Sequence, residues 1–139
     1  MEYILTADSL CKHYRHFRAL NDFSIHVPKG SIYGIVGKNG AGKTTLLRLI
    51  CGLQDPSSGS YELYGVRDTD SGINRCRRRM GAVIETPSIY MDMTAEANLK
   101  EQYRIIGLPD FDSIPGLLKL VGLENAGKKK ARHFSLGMR

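Results

Sequence analysis

The octamer Gly37-Lys38-Asn39-Gly40-Ala41-Gly42-Lys43-Thr44 constrains this chain more than any other feature. A short apolar run, residues 31–36, enters it, and Thr45-Leu46-Leu47-Arg48-Leu49-Ile50 leaves it with helical composition. Glycines at 37, 40 and 42 permit backbone angles closed to other residues, so successive amide N–H groups can turn into one concavity. The helix that follows adds the positive end of its dipole at the same point. The ammonium of Lys43 suits the β- and γ-phosphates of a nucleoside triphosphate, and the hydroxyl of Thr44 suits Mg²⁺. Strand before and helix after is the context such a loop requires. The expected nucleotide ligands are therefore Gly37, Lys38, Asn39, Gly40, Ala41, Gly42, Lys43, Thr44 and the adjoining Thr45, with Lys43 also acting in catalysis.

The rest of the chain bounds the class. Its 139 residues are 42% hydrophobic and 24% charged, which is globular composition and excludes a collagen-like fibre or a disordered tail. No apolar stretch approaches the roughly 18 residues of a membrane-spanning helix, because Arg48 interrupts the longest candidate. Met1-Glu2-Tyr3 has no basic region of a secretory signal. Cys11, Cys51 and Cys76, odd in number and without a CxxC pair, read as free thiols in a reducing cytosol. His13 and His16 lack the further ligands a metal site needs. The net charge of +6 sits largely in Arg75, Arg77, Arg78 and Arg79 and in Lys128, Lys129, Lys130 and Arg132. Neither cluster is interleaved with aromatics, so a solvated basic face is expected rather than nucleic-acid contact.

Alternation of Phe23, Ile25 and Val27 with Ser24 and His26 predicts a half-buried strand closed by Pro28-Lys29-Gly30. Residues 31–36 and 81–84 read as short strands buried on both faces. Residues 60–64 form another strand candidate, residues 73–80 a possible helix, and Gly52 is placed to end the helix after the octamer. Beyond Thr86-Pro87 the pattern turns helical. Thr94 is positioned to cap a helix carrying Leu99, Tyr103 and Ile106 on one face, stopped by Gly107 and Pro109. Ser113 is placed to cap a second, with Leu117, Leu118 and Val121, stopped by Gly122.

The segment GKNGAGKTTLLRLICG resembles the Walker A region of ATP-binding cassette (ABC) ATPases. Four further stretches resemble that family in its order, so the likeness covers essentially the whole chain. Tyr14, in Lys12-His13-Tyr14, looks like the aromatic that stacks on adenine. Residues 53–65 resemble the family's turn and strand after the loop helix. Residues 80–90 resemble its Q-loop, with Glu85 where most members have glutamine. That resemblance implies a role for Glu85 near Mg²⁺ and the attacking water, although a carboxylate cannot donate as an amide does. The carboxylate, with IETPSIYMDMTAEANL around it, is similar to bacitracin and lantibiotic export or immunity ATPases. Phe134-Ser135-Leu136-Gly137-Met138 resembles the signature motif, which implies that Ser135 and Gly137 contact the γ-phosphate on an opposite subunit.

The resemblance implies an α/β P-loop NTPase fold of ABC type. An antiparallel β subdomain and the first part of the P-loop core would occupy residues 1–86, and a helical subdomain residues 87–139. Length alone fits one complete small domain. The motifs instead suggest an incomplete one, without the family's Walker B strand, catalytic glutamate and later strands. Weak nucleotide binding, no efficient hydrolysis, and self-association or partial disorder are the resulting expectations. By family, the complete protein would be a cytoplasmic ATPase at the inner membrane face. It would bind ATP and Mg²⁺, pair with a second ATPase subunit, and drive a transmembrane permease. Rival expectations are a soluble cassette ATPase acting on ribosome or nucleic acid, a P-loop kinase or GTPase, and a truncated, nonenzymatic ATP-binding regulator.

Overall fold

Alternating strands in the first half of the chain build a four-stranded antiparallel sheet. β1 (Tyr3–Tyr14) and β2 (Phe17–Pro28) form a long hairpin, and β3 (Ser58–Leu63) and β4 (Val66–Arg67) complete the order β2-β1-β3-β4. Ile25, Ala7 and Tyr61 share one rung of the ladder, and all three are buried. Strict alternation would send Ala7 and Leu10 to opposite faces, yet both are fully buried. The ladder slips between them, and Ser9 takes a left-handed φ of 47°. This bulge re-phases the strand so that both side chains enter the core. Gly59 crosses over it so closely that a Cβ there would lie 2.3 Å from the Ser9 carbonyl oxygen.

These strands belong to a computed structural model that describes residues 2–139. The chain divides into two compact units, one ending at Glu85 and one beginning at Thr86.

Helix α1 (Lys43–Ile50) covers the sheet of the first unit with Leu46, Leu49 and Ile50, spaced along one helical face. It ends in a Schellman motif at Gly52, whose φ is 72°. The Gly52 N–H donates to the Leu49 carbonyl and the Leu53 N–H to that of Arg48. A short helix α2 (Ile73–Arg77) adds Ile73 and Cys76 to the same core. The Arg77 guanidinium bonds the Tyr61 hydroxyl and Asn74, and the Tyr61 hydroxyl donates to the Leu49 carbonyl at 2.9 Å. A cation thus stands near the electronegative end of α1, where the helix dipole favours it. Burial pushes the Tyr61 phenol and the Cys51 thiol above their ordinary pKa values, so both stay neutral. The arginine cluster is therefore partly structural. Arg77 is half-buried, and Arg79 lies 4.1 Å over the Tyr64 ring.

Two expected strands are not formed. Residues 31–36 and 81–84 join no ladder, and Ile32 and Val36 are 105% and 97% exposed. A strand buried on both faces needs neighbours on both edges, and the described residues supply none for these segments. The resulting apolar surface, with Val83 also exposed, is the kind that favours association.

In the second unit, α3 (Ala95–Ile106) and α4 (Ile114–Leu120) pack together. Thr94 caps α3 by accepting the Ala97 N–H, and Gly107 ends it at φ 74°. Thr94→Ala should lower the thermal stability of this unit by about 1 kcal/mol, read by differential scanning calorimetry. The expected apolar face is only partly realised: Ile106 is exposed, and the buried residue of α3 is Asn98. Its amide is satisfied by the Tyr90 N–H, the Tyr90 carbonyl and the Thr94 carbonyl. Ser113 supplies no side-chain cap to α4; its hydroxyl pairs with that of Tyr103 instead. Ile114 is the buried residue of α4, while Leu117 and Val121 stay exposed. Among the described residues no helix is long and apolar enough to cross a membrane.

Candidate functional site

The glycine loop closes onto α1 at Gly42, which adopts φ 87° and offers no side-chain cap. Two constraints exclude any other residue there. The angle is left-handed, and a Cβ would lie 2.3 Å from the Ala19 carbonyl oxygen on β2. The β hairpin thereby sets the position of the loop. The first turn of any helix leaves its N–H groups without intrahelical acceptors. Here Leu46 is the first to find one, donating to the Gly42 carbonyl at 2.9 Å. Beneath those amides lies a cavity of about 240 Å³ lined by Phe17, Ala19, Asn39, Gly40, Ala41, Gly42, Lys43, Thr44 and Thr45.

Lys43 turns back over the loop. Its ammonium donates to the carbonyls of Gly37 and Lys38 at 2.5 and 2.8 Å. A positive charge, unclaimed helix amides and a hydroxyl at Thr44 thus converge on one concavity, which is the donor set a polyphosphate takes. Thr44 is the cavity's candidate Mg²⁺ ligand. Among the described residues no three His, Cys, Asp or Glu side chains cluster as a metal cage. Mg²⁺ does not require one, because it keeps several waters and leans on substrate phosphates.

Seven of the expected ligands, from Asn39 to Thr45, line the cavity, while Gly37 and Lys38 act through their carbonyls on Lys43. Glu85 is placed differently. It has a left-handed φ of 66°, and its carboxylate accepts from the Arg48 guanidinium on α1 at 3.1 Å rather than lining the cavity. Tyr14 is also absent from the lining. Its hydroxyl bonds Gln54, and the Lys12 ammonium sits 5.4 Å from its ring centroid. The cross-strand partner of Tyr14, Phe17, lines the cavity instead. Phe17 and Ala19 are not among the expected ligands; the hairpin register that brings them to the loop is set by pairing of β1 with β2. Ser135 and Gly137 lie in the second unit, exposed at a single 3-10 turn, Leu136–Met138.

The sequence profile described as "ABC transporter" matches residues 20–139. The chain is 37% identical, over its whole length, to the bacitracin transport ATP-binding protein BcrA of Bacillus licheniformis, of which it covers 45%. It is 35% identical to the lantibiotic transport ATP-binding protein SrtF of Streptococcus pyogenes, with 98% of this chain and 57% of that protein covered. It thus spans about half the length of these curated relatives.

Among solved structures, the ATP-binding subunit of an ABC transporter superposes with TM-score 0.76 at 31% identity, covering 97% of this chain and 57% of that one. The cbiO1 protein of Clostridium perfringens, part of the cbiONQ complex, gives 0.81 at 25%, covering 99% and 58%. The fold is that of the nucleotide-binding part of such ATPases. With a glycine-capped phosphate loop at its centre and a match reaching from residue 20 to residue 139, the chain belongs to the ABC transporter family.

Proposed function

We propose that this chain is part of the ATP-binding subunit of a transporter that exports a peptide antibiotic such as bacitracin or a lantibiotic. The complete protein would work at the cytoplasmic membrane face with a transmembrane permease and a second ATPase subunit. The names of the relatives BcrA and SrtF support the cargo class. The phosphate cavity supports the chemistry. One observation carries the reading above the others: the Lys43 ammonium, the open amides of α1 and Thr44 meet at one concavity.

On binding, the ammonium of Lys43 exchanges two neutral carbonyls for phosphate oxygens, a charge-assisted gain. Gly40 and Gly42 let the backbone approach the phosphates, and Thr44 would hold Mg²⁺, which supplies charge neutralisation at the β- and γ-phosphates. Glu85 would reach that region by leaving Arg48. Both groups of that pair are well exposed to solvent, so separating them costs about 0–1 kcal/mol. Nucleotide binding can therefore redirect this carboxylate with little opposition. In the second unit, Ser135 and Gly137 would meet the nucleotide of a partner subunit.

No Asp or Glu lines the cavity among the described residues. These 139 residues alone should therefore bind MgATP yet release phosphate only slowly, since Glu85 would come to the Mg²⁺ and no further carboxylate lines the cavity as a general base for water. Calorimetric titration with MgATP tests binding, and a malachite-green assay tests turnover. Rapid, Lys43-dependent phosphate release would sink the second expectation, and no heat with MgATP or tripolyphosphate would sink the first.

A further inference from the structure

We infer that Asn39 is a site of spontaneous covalent modification. In the unliganded protein its side-chain amide is lost to the backbone nitrogen of Gly40, and the carboxylate left behind disables the phosphate cavity. Asn39-Gly40 is the one Asn-Gly pair in the sequence; Asn21, Asn74, Asn98 and Asn125 all precede larger residues. Glycine is the most permissive residue after asparagine for this reaction, because no side chain shields the attacking nitrogen. The structure presents the pair for it. Lys38 to Ala41 form a turn closed by the Ala41 N–H on the Lys38 carbonyl at 3.1 Å. Gly40 stands third in that turn with φ 83°, as glycine does in a type II turn. The closing bond leaves the Gly40 N–H without an acceptor, and the Asn39 amide has no hydrogen-bond partner among the described residues. Both residues are exposed. Asn98, by contrast, is buried with its amide held by three bonds.

The reaction needs only water and its hydroxide. The Gly40 nitrogen gives up its proton to hydroxide and attacks Cγ, the side-chain carbonyl carbon of Asn39. The N–Cγ bond forms, the Cγ–Nδ2 bond breaks, and Nδ2 leaves as ammonia with a proton taken from water, which returns the hydroxide. Water then opens the succinimide ring at either carbonyl. One product is an aspartyl side chain; the other is an isoaspartyl linkage, which adds a methylene to the main chain. Nothing is oxidised or reduced. Either product sets a carboxylate into a cavity whose described lining has no Asp or Glu. Like charges brought together repel, so a triphosphate should then bind on the order of 100-fold more weakly. A bound polyphosphate blocks the first step, since Asn39 and Gly40 line the cradle it fills and the Gly40 N–H becomes its donor. That protection rests on the cavity taking a nucleoside triphosphate; the lability of Asn39 does not. An empty site therefore ages, and a filled one is preserved.

The full 139-residue chain, held at body temperature and mildly alkaline pH, is sampled over time without ligand, with MgATP, and with inorganic tripolyphosphate and Mg²⁺. Peptide mass spectrometry reads conversion at each asparagine, and methyl transfer by an isoaspartate methyltransferase reads the isoaspartyl product. Conversion at Asn39 should outrun that at Asn21, Asn74, Asn98 and Asn125, and either ligand should suppress it. Asn39→Gln, whose amide would have to close a larger ring, should stay unconverted. Asn39→Asp should reproduce the loss in the aged chain, binding MgATP about 100-fold more weakly by calorimetry. Its melting temperature should be unchanged, because the position is exposed and outside the core. The inference is overturned if Asn39 converts no faster than Asn21, or if Asn39→Asp binds MgATP as the unsubstituted protein does. It is equally overturned if a ligand gives binding heat yet leaves the conversion rate at Asn39 unchanged. A chain that gives no heat with either ligand, while Asn39 still converts, supports the labile amide and overturns the nucleotide reading instead.

Discussion

Replacing Lys43 with alanine should weaken MgATP binding on the order of 100-fold, equivalent to about 3 kcal/mol, without lowering the melting temperature appreciably. The two halves of this expectation have different causes. In the free protein the ammonium bonds the Gly37 and Lys38 carbonyls, on an exposed stretch of the loop outside the core. Losing those contacts changes folding little, since exposed interactions of this kind are worth within about 0.5 kcal/mol. In the proposed complex the same ammonium would be the cavity's compensating charge for a triphosphate. Removing it leaves phosphate oxygens facing helix amides alone, and hydrogen bonds to charged groups are the strong ones. Titration calorimetry and a thermal melt on the same sample separate the halves. A Lys43→Ala protein that binds MgATP with unchanged affinity would show that phosphate is held elsewhere.

Leu49→Ala should be the most damaging substitution to the first unit, costing about 2–5 kcal/mol. Leu49 is fully buried between α1 and the sheet, among Ala7, Leu10, Tyr61 and Ile73. Its truncation removes apolar burial and leaves a void that a two-layer packing of helix on strands cannot readily close. The melting temperature of that unit should fall on the order of 10–30 °C. Leu47→Ala, one turn face away and 42% exposed, should change it by no more than a few degrees. Calorimetry on the pair provides the check. Equal losses from both would mean that α1 does not seat on the sheet through its Leu46–Leu49–Ile50 face. MgATP affinity measured well below the transition should survive in Leu49→Ala, because the amides and Lys43 remain in place while the helix is folded.

Particular elements show how far sequence reading reached. The helix after the octamer, its stop at Gly52, the half-buried strand through Ile25 and the Thr94 cap were all legible. Each depends on residues within a few positions of one another: a 3.6-residue apolar spacing, a glycine in a left-handed cap, an alternation, a hydroxyl three residues before an amide. The bulge at Ser9 was not legible, because its cause lies in two long-range pairings, with β2 and with β3. Residues 31–36 and 81–84 read as strands and form no ladder. Their composition records the burial such strands have in a sheet, whereas ladder hydrogen bonds require flanking partners. Arg77 looked like one member of a basic run; packing under Gly52 makes it a structural residue.

The same division runs through the site. The loop octamer by itself determined a donor set suited to phosphates, because glycine conformational freedom, a helix N-terminus and one lysine are local properties, which persist although residues 31–36 join no ladder. Tertiary structure alone decided which side chains surround that loop. Phe17 arrives at the cavity, and Tyr14 does not, because the register of the β1–β2 hairpin and the contact of Ala19 with Gly42 fix one strand against the loop. Arg48 holds Glu85 because α1 presents it there, 37 residues earlier in sequence. Spacing along a chain encodes the angles a segment can adopt; which distant segment it then meets is set by packing.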